Sequence, residues 1–277
     1  AGGLGYDRRS VQSWAPDGQP YPDYITRAEA LELARIDTFS RTFISPIDDS
    51  VDQTGNTIEG GGLSRFSLSG ATEVARNVYV GVSFNFLSGS YSYSSRFTES
   101  DGLGLYQDFP FDFASLEVQD IIEADISGFN INSGMIYKIS PHVRFAFTVK
   151  SPSWITVQER FTSDATSWFD NGDSRSDPSG GSYTEYDVTT PYVFSTGLSG
   201  GTSAFTLAGA VEFIDYTQME FNNATNSLLA MNTDIKELYR STVNIRVGGE
   251  VRVPQTDLSL RAGYILLPSA YEGDPSS

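Results

Sequence analysis

The chain has 277 residues, of which 39% are hydrophobic and 13% aromatic, and a formal charge of −17. An acidic balance of this size excludes the basic footprint that nucleic-acid binding requires. The absence of Cys excludes disulfides and thiolate metal sites, and the lone His142 excludes His-rich zinc centres.

Gly2 to Val11 reads as a strand or strand end. Residues 13–62 form a long insertion, more than an ordinary connection needs. Within it Thr26-Arg27-Ala28-Glu29 fits a capping box, so a helix is expected near 27–38. Its apolar arc (Ala30, Leu31, Leu33, Ala34, Ile36) is wide, so the helix should pack on something hydrophobic. The Asp- and Gly-rich stretch from Ile47 to Gly62 reads as loop.

Leu63 to Val74 is a strand, followed by the turn Ala75-Arg76-Asn77 and a long alternating run from Val78 to about Phe97. Val78, Val80, Val82, Phe84 and Phe86 fall on one face; Gly81, Ser83 and Asn85 fall on the other. A run of about 20 residues is far longer than the usual soluble strand of about 5–6. Residues 99–125 are acidic and contain Phe109-Pro110-Phe111; they read as a solvated loop, with calcium as the alternative reading of its carboxylates. Ile126–Ile139 and Val143–Phe161 form a hairpin through Ser140-Pro141-His142. A polar loop spans 163–181. Tyr183–Ser199 and Ser203–Phe221 form another hairpin through Gly200-Gly201-Thr202, and 222–239 reads as loop.

The clearest alternation lies in the last hairpin, 241–267. Val243, Ile245, Val247, Val251 and Val253 oppose Asn244, Arg246, Glu250 and Arg252; after Pro254–Asp257 the pattern resumes with Leu258, Leu260, Ala262, Tyr264 and Leu266. Such strands suit either a soluble sheet with its apolar face inward or a membrane barrel with that face toward lipid. Two features favour the barrel. Connections alternate between a few residues and long loops, as in outer-membrane barrels. Aromatics (Tyr91, Tyr93, Phe97, Phe161, Tyr183, Tyr186, Tyr216, Phe221, Tyr239, Tyr271) gather where strands enter loops, as an interfacial girdle would. The expected fold is therefore all-β: one transmembrane antiparallel up-and-down β-barrel domain over 1–277, with long outer loops, one holding a short helix. About nine strands are expected, and an odd number leaves open edges that lipid does not tolerate, so the chain reads as a fragment of a larger barrel.

Five segments stand out as a set: Thr190-Pro191-Tyr192-Val193, residues 210–216, Arg246-Val247-Gly248-Gly249-Glu250, Leu260-Arg261-Ala262-Gly263-Tyr264 and Leu267-Pro268-Ser269. Together they resemble the FadL family of outer-membrane transporters for long-chain fatty acids and other hydrophobic compounds, including aromatic hydrocarbons. The resemblance is strongest over residues 126–271 and toward members from Bacteroidetes-like bacteria. It implies a fourteen-stranded plugged barrel in the outer membrane of a Gram-negative bacterium, contact with membrane lipid, and passive uptake without catalysis or a cofactor. Against that pattern, neither the family's hatch nor its closing strands is expected within residues 1–277.

The resemblance also implies capture of a hydrophobic ligand at the outer loops. Leu31, Leu33, Ile36, Phe39 and Phe43 would offer that surface, each buried CH₂ contributing about 0.8 kcal/mol. A carboxylate would need a lumen-facing cation; alternation nominates Arg144, Lys150 and Arg246, with Arg252 and Arg261 beside them. These cations could instead pair with Glu212 and Glu250. A general diffusion porin or structural outer-membrane barrel is the alternative function. A phospholipase-type barrel would need His142 at the outer rim, yet it sits in a short turn.

Overall fold

The computed structural model describes residues 27–37, 42–45, 47, 50–107, 112–178, 181–256 and 258–273. The expected strand at 2–11, the Thr26 cap, Phe39 and Phe109–Phe111 lie outside them. β1 (Arg35–Asp37) and β2 (Thr42–Ile44) pair as a small sheet. Twelve more strands form one large sheet: β3 (Asp52–Ala75), β4 (Val78–Ser100), β5 (Phe113–Ser140), β6 (Val143–Lys150), β7 (Trp154–Phe169), β8 (Ser174–Pro178), β9 (Ser182–Thr189), β10 (Val193–Gly201), β11 (Phe205–Asp215), β12 (Glu220–Asn222), β13 (Ser241–Arg252) and β14 (Ser259–Leu266). Neighbours run β12-β9-β7-β5-β6-β10-β11-β13-β14, with β3 on β4, β4 on β5 and β8 on β7. Among the described residues no strand joins β14 back to β3, so the antiparallel barrel is partial. No described helix is long and apolar enough to cross a membrane, which does not bear on strands.

Two of the strand segments beyond the expected nine have a common physical reason. Two long runs are each interrupted once by proline, at Ser151-Pro152-Ser153 and at Thr190-Pro191-Tyr192. A proline cannot donate to the ladder, so the strand assignment breaks there. The gaps are bridged: Thr190 N–H donates to the Ser153 carbonyl (3.1 Å), and Ser153 N–H donates to Thr190 Oγ1 (2.8 Å).

The chain divides into two compact units. The first comprises Ala1–Gly61, Tyr91–Ala124 and Glu159–Tyr183. Its core joins Leu31, Leu33, Tyr106, Phe113, Leu116, Val118 and Ala165, with Ile47 and Val51 against it. Of the helix expected near 27–38, the described residues hold one turn, 27–30. It closes in a Schellman motif: Leu33 N–H reaches the Ala28 carbonyl (2.9 Å), Glu32 N–H reaches the Glu29 carbonyl (3.0 Å), and Glu32 takes φ +56°. Ser167 Oγ then donates to the Leu31 carbonyl (2.7 Å), a buried acceptor the helix leaves open. Ile36, expected on the helix, lies in β1 instead, and 27–34 packs on a hydrophobic core as its apolar arc requires. Arg27 fixes the turn by donating to Ser163 Oγ (2.8 Å) and by an ion pair with Asp177 (3.2 Å).

Strands here overrun the expected loops. β3 starts at Asp52, inside the expected 13–62 insertion, and β5 starts at Phe113, inside the acidic stretch. Phe113, Leu116 and Val118 are buried, which draws the acidic segment onto the core. The polar stretch 163–181 likewise holds the end of β7 and all of β8.

The second unit comprises Gly62–Ser90, Asp125–Gln158 and Thr184–Ser277. Its β10, β11 and β13 are 9, 11 and 12 residues long, the length that crosses a bilayer core, about 9–11 residues. The expected loop at 222–239 holds a helix, Asn226–Leu238. Asn232 clamps it to β12 by accepting from Phe221 N–H (2.8 Å) and donating to the Phe221 carbonyl (2.9 Å).

Candidate functional site

The second unit's sheet is inside out relative to a soluble protein. In β4 Asn85 is 3% exposed, while its apolar neighbours Phe84 and Phe86 are 44% and 52% exposed. In β13 Asn244 is 8% exposed and Val247 53%. The same holds across the sheet: Phe147, Leu198, Leu207, Val211, Phe213, Val243, Val251 and Leu260 are all exposed. The register places them on one face. Val211 opposes Ile245, Phe213 opposes Val243, and Val247 opposes Tyr264. A surface this apolar over many strands exceeds what water tolerates on a monomer and is what lipid requires. Exposed aromatic pairs add to it, Phe129 with Trp154 (ring centroids 4.9 Å apart) and Tyr192 with Phe194 (6.0 Å). Of the aromatics expected to form a girdle, Tyr186 packs edge-on to Phe221 and Tyr239 meets Tyr271.

The opposite face is polar, and much of it is hydrogen-bonded within itself. Ser67 Oγ donates to Asn85 Oδ1 (2.7 Å), Asn85 Nδ2 to Asn130 Oδ1 (2.9 Å), and Asn130 Nδ2 to Ser153 Oγ (3.0 Å). This chain of uncharged groups links four segments at one level. Glu212 gathers Asn244 Nδ2 (3.0 Å), Arg246 (3.1 Å) and Ser195 Oγ (3.4 Å). Glu250 holds both Arg252 (3.3 Å) and Arg261 (2.6 Å).

The five nominated cations therefore divide. Arg246, Arg252 and Arg261 are engaged by carboxylates. Arg144 and Lys150 have no ion pair among the described residues. Lys150 lines a recess of about 720 Å³ with Ser69, Ala71, Tyr79, Gly81, Ser83, Asn132, Gly134, Ile136, Thr148, Ser195 and Glu212. Small residues on adjacent strands leave this space open. Lys150 stands opposite Asn132 in the register, and Asn132 Oδ1 is buried there without a hydrogen-bond partner.

The apolar capture residues fare differently. Leu31 and Leu33 are 0% and 3% exposed and belong to the core of the first unit, so they are not a landing surface. Ile36 and Phe43 are paired across β1 and β2, and Phe39 lies outside the described residues. The short helical turn is the reason: a Schellman closure turns the leucines into the core. The recess residues Tyr79, Asn132 and Ser195 were not nominated by the sequence; their shared face could have been found by extending the alternation used for β13. In the acidic stretch, Asp101 accepts from Leu105 and Tyr106 N–H (both 2.8 Å), and Glu117 pairs with Arg96 (3.6 Å). Among the described residues no three His, Cys, Asp or Glu side chains converge as a metal site would need.

Comparisons bear on the same chain. The BamG family model matches residues 44–259, more than half of the sequence. No curated protein matches. Among solved structures, the chain is similar to the CymD monoaromatic hydrocarbon channel at 14% identity, covering 79% of this chain and 64% of that one, with a TM-score of 0.47. It is similar to the Ralstonia pickettii toluene transporter TbuX at 13% identity, covering 78% and 57%, with a TM-score of 0.45. For the Pseudomonas putida toluene transporter TodX the values are 10%, 80%, 76% and 0.34. The chain thus spans 64% and 57% of the length of the first two. By the match over 44–259, the chain belongs to the BamG family.

Proposed function

We propose that the chain is part of an outer-membrane passive transporter that takes up long-chain fatty acids or other hydrophobic compounds through a barrel lumen, with no catalytic step. The observation that carries this reading is the reversed sheet: valines and phenylalanines outward, hydrogen-bonded Asn, Ser and Glu inward, over strands of bilayer-crossing length. A recess of about 720 Å³ is within the range that encloses small-molecule ligands, about 300–1,000 Å³. Its aliphatic and glycine-lined floor suits an alkyl or aryl body, and Lys150 suits an acidic head. The outer membrane of a Gram-negative bacterium is the location consistent with a transmembrane β-sheet.

The test is uptake by proteoliposomes carrying the full-length protein, with oleate and toluene as permeants and a small inorganic ion as control. Movement of either hydrophobic permeant with a low ion conductance supports the reading. Ion conductance without hydrophobic uptake overturns it in favour of a general diffusion porin.

A further inference from the structure

Tyr239 and Tyr271 make a contact that an interfacial girdle does not explain. A girdle tyrosine turns its hydroxyl to water or headgroups. Here the hydroxyls meet each other: Tyr239 OH donates to Tyr271 OH at 3.1 Å, and the ring centroids stand 4.7 Å apart with 34° between the planes. The backbone sets the contact up. The two residues are partners in an isolated antiparallel bridge, two residues before β13 and five after β14. Arg240 N–H donates to the Ala270 carbonyl (2.9 Å), and Glu272 N–H donates to the Leu238 carbonyl (2.7 Å). These bonds flank the pair, so it occupies a non-hydrogen-bonded position, where opposed side chains come closest. Each tyrosine is also fixed on its own side. Tyr239 N–H closes the helix on the Ile235 carbonyl (3.0 Å), and Tyr271 N–H donates to Ser269 Oγ (3.1 Å). Tyr271 is 44% exposed, which leaves the held pair open to a small oxidant. Two other tyrosine ring contacts of this unit, Tyr186 with Phe221 and Tyr192 with Phe194, each bring a single phenol.

We propose that Tyr239 and Tyr271 are a dityrosine-forming site, cross-linked when hydrogen peroxide acts through a one-electron peroxidase, and that the new bond staples the end of β14 to the start of β13. The proposal rests on the fold and is independent of what the barrel carries. Each phenol gives up one electron and its hydroxyl proton, leaving a phenoxyl radical with spin on the ring carbons ortho to oxygen. The two radicals join through one ortho carbon of each ring. The hydrogens on those carbons leave as protons while the two oxygens take protons up, and both phenols reform. The pair therefore loses two electrons and two protons and gains one C–C bond. One peroxide molecule accepts both electrons and both protons and becomes two waters. Rings already held side by side need no encounter step, which is where a fixed geometry gains most. The staple matters at this place because β14 ends the sheet order and has β13 as its one neighbour among the described residues. A strand paired on one side opens more readily than one paired on both.

The experiment treats the full-length protein in phospholipid vesicles with a haem peroxidase and hydrogen peroxide. Dityrosine fluorescence is expected in the monomer band. Digestion should give a peptide pair joining residue 239 to residue 271, lighter than its two parts by the two lost hydrogens. Tyr239→Phe and Tyr271→Phe keep the rings and remove one phenol each; either should lower the yield of that product at least about tenfold. Tyr192→Phe should leave it unchanged. Folding of each variant is checked by the heat-dependent gel shift of the barrel. The cross-linked protein should show an unfolding equilibrium in guanidinium shifted at least about tenfold toward the folded state, because the bond closes the chain between positions 239 and 271. Absence of dityrosine, or a product that joins other tyrosines or only separate molecules, overturns the site. An equal yield of the 239–271 product from protein unfolded before oxidation overturns the held geometry as its cause. An unfolding midpoint that does not move on cross-linking overturns the staple.

Discussion

Val247→Arg separates a lipid-facing strand from a solvated one by magnitude alone. Val247 is the seventh of the twelve residues of β13, so in a spanning strand it lies near the bilayer midplane. It is 53% exposed and opposes Gly209 on β11 and Tyr264 on β14, so neither direct cross-strand partner offers a carboxylate to neutralise a new guanidinium. At the midplane of a transmembrane barrel an outward Arg costs about 2–4 kcal/mol. On the water-facing surface of a soluble sheet the same change stays within about 0.5 kcal/mol. The gap corresponds to at least about a tenfold shift in the unfolding equilibrium. Guanidinium unfolding of the protein in phospholipid vesicles reads it directly. Thr206→Lys, opposite Glu250 on the polar face, is the matched control and should cost less than about 1 kcal/mol. A Val247→Arg protein that unfolds at the wild-type midpoint, or a Thr206→Lys protein that suffers more, would refute the lipid-facing assignment.

Leu31→Ala removes a fully buried side chain from the first unit's core and should cost about 2–5 kcal/mol, seen as faster amide exchange in residues 113–118 and 163–167. Lys150→Ala should weaken oleate binding at least about tenfold and leave toluene binding unchanged, measured by displacement of a fluorescent fatty acid. A double-mutant cycle on Arg246→Ala and Glu212→Gln should give a coupling below about 1 kcal/mol, because Arg246 is partly exposed and Asn244 and Ser195 still hold the carboxylate. Gly128→Ala should destabilise, since its methyl would meet the Trp154 carbonyl and the Ile155 backbone; hydrogen exchange along β5 would report it.

Alternation was legible wherever one face meets an apolar environment and the other does not. That condition holds for β4, β6, β11, β13 and β14, and their hairpins lie where the sequence places them. It fails in two ways. In the first unit, strands such as the start of β5 bury only a few apolar side chains among carboxylates, so composition reads as loop while Phe113, Leu116 and Val118 pack. At 27–38 the apolar spacing fits a helix, but closure depends on a left-handed Glu32, and nothing local marks a glutamate for that conformation. The helix Asn226–Leu238 was readable in Leu228, Met231, Ile235 and Leu238 at helical spacing, although Thr225 makes no side-chain cap. The luminal cations were legible as a set. Which of them are engaged depends on cross-strand register, which only the paired strands reveal.

The direction of the side chains in a membrane decides most directly between a spanning sheet and a soluble one. Because the chain has no Cys, a single cysteine carrying a nitroxide can be placed at Val247 or at Ala210 in the vesicle-embedded protein. Spin relaxation should show the Val247 label accessible to oxygen and shielded from an aqueous nickel chelate, with the Ala210 label showing the reverse. Equal nickel access at both positions, or an oxygen-accessible Ala210, would contradict a sheet whose valines meet acyl chains.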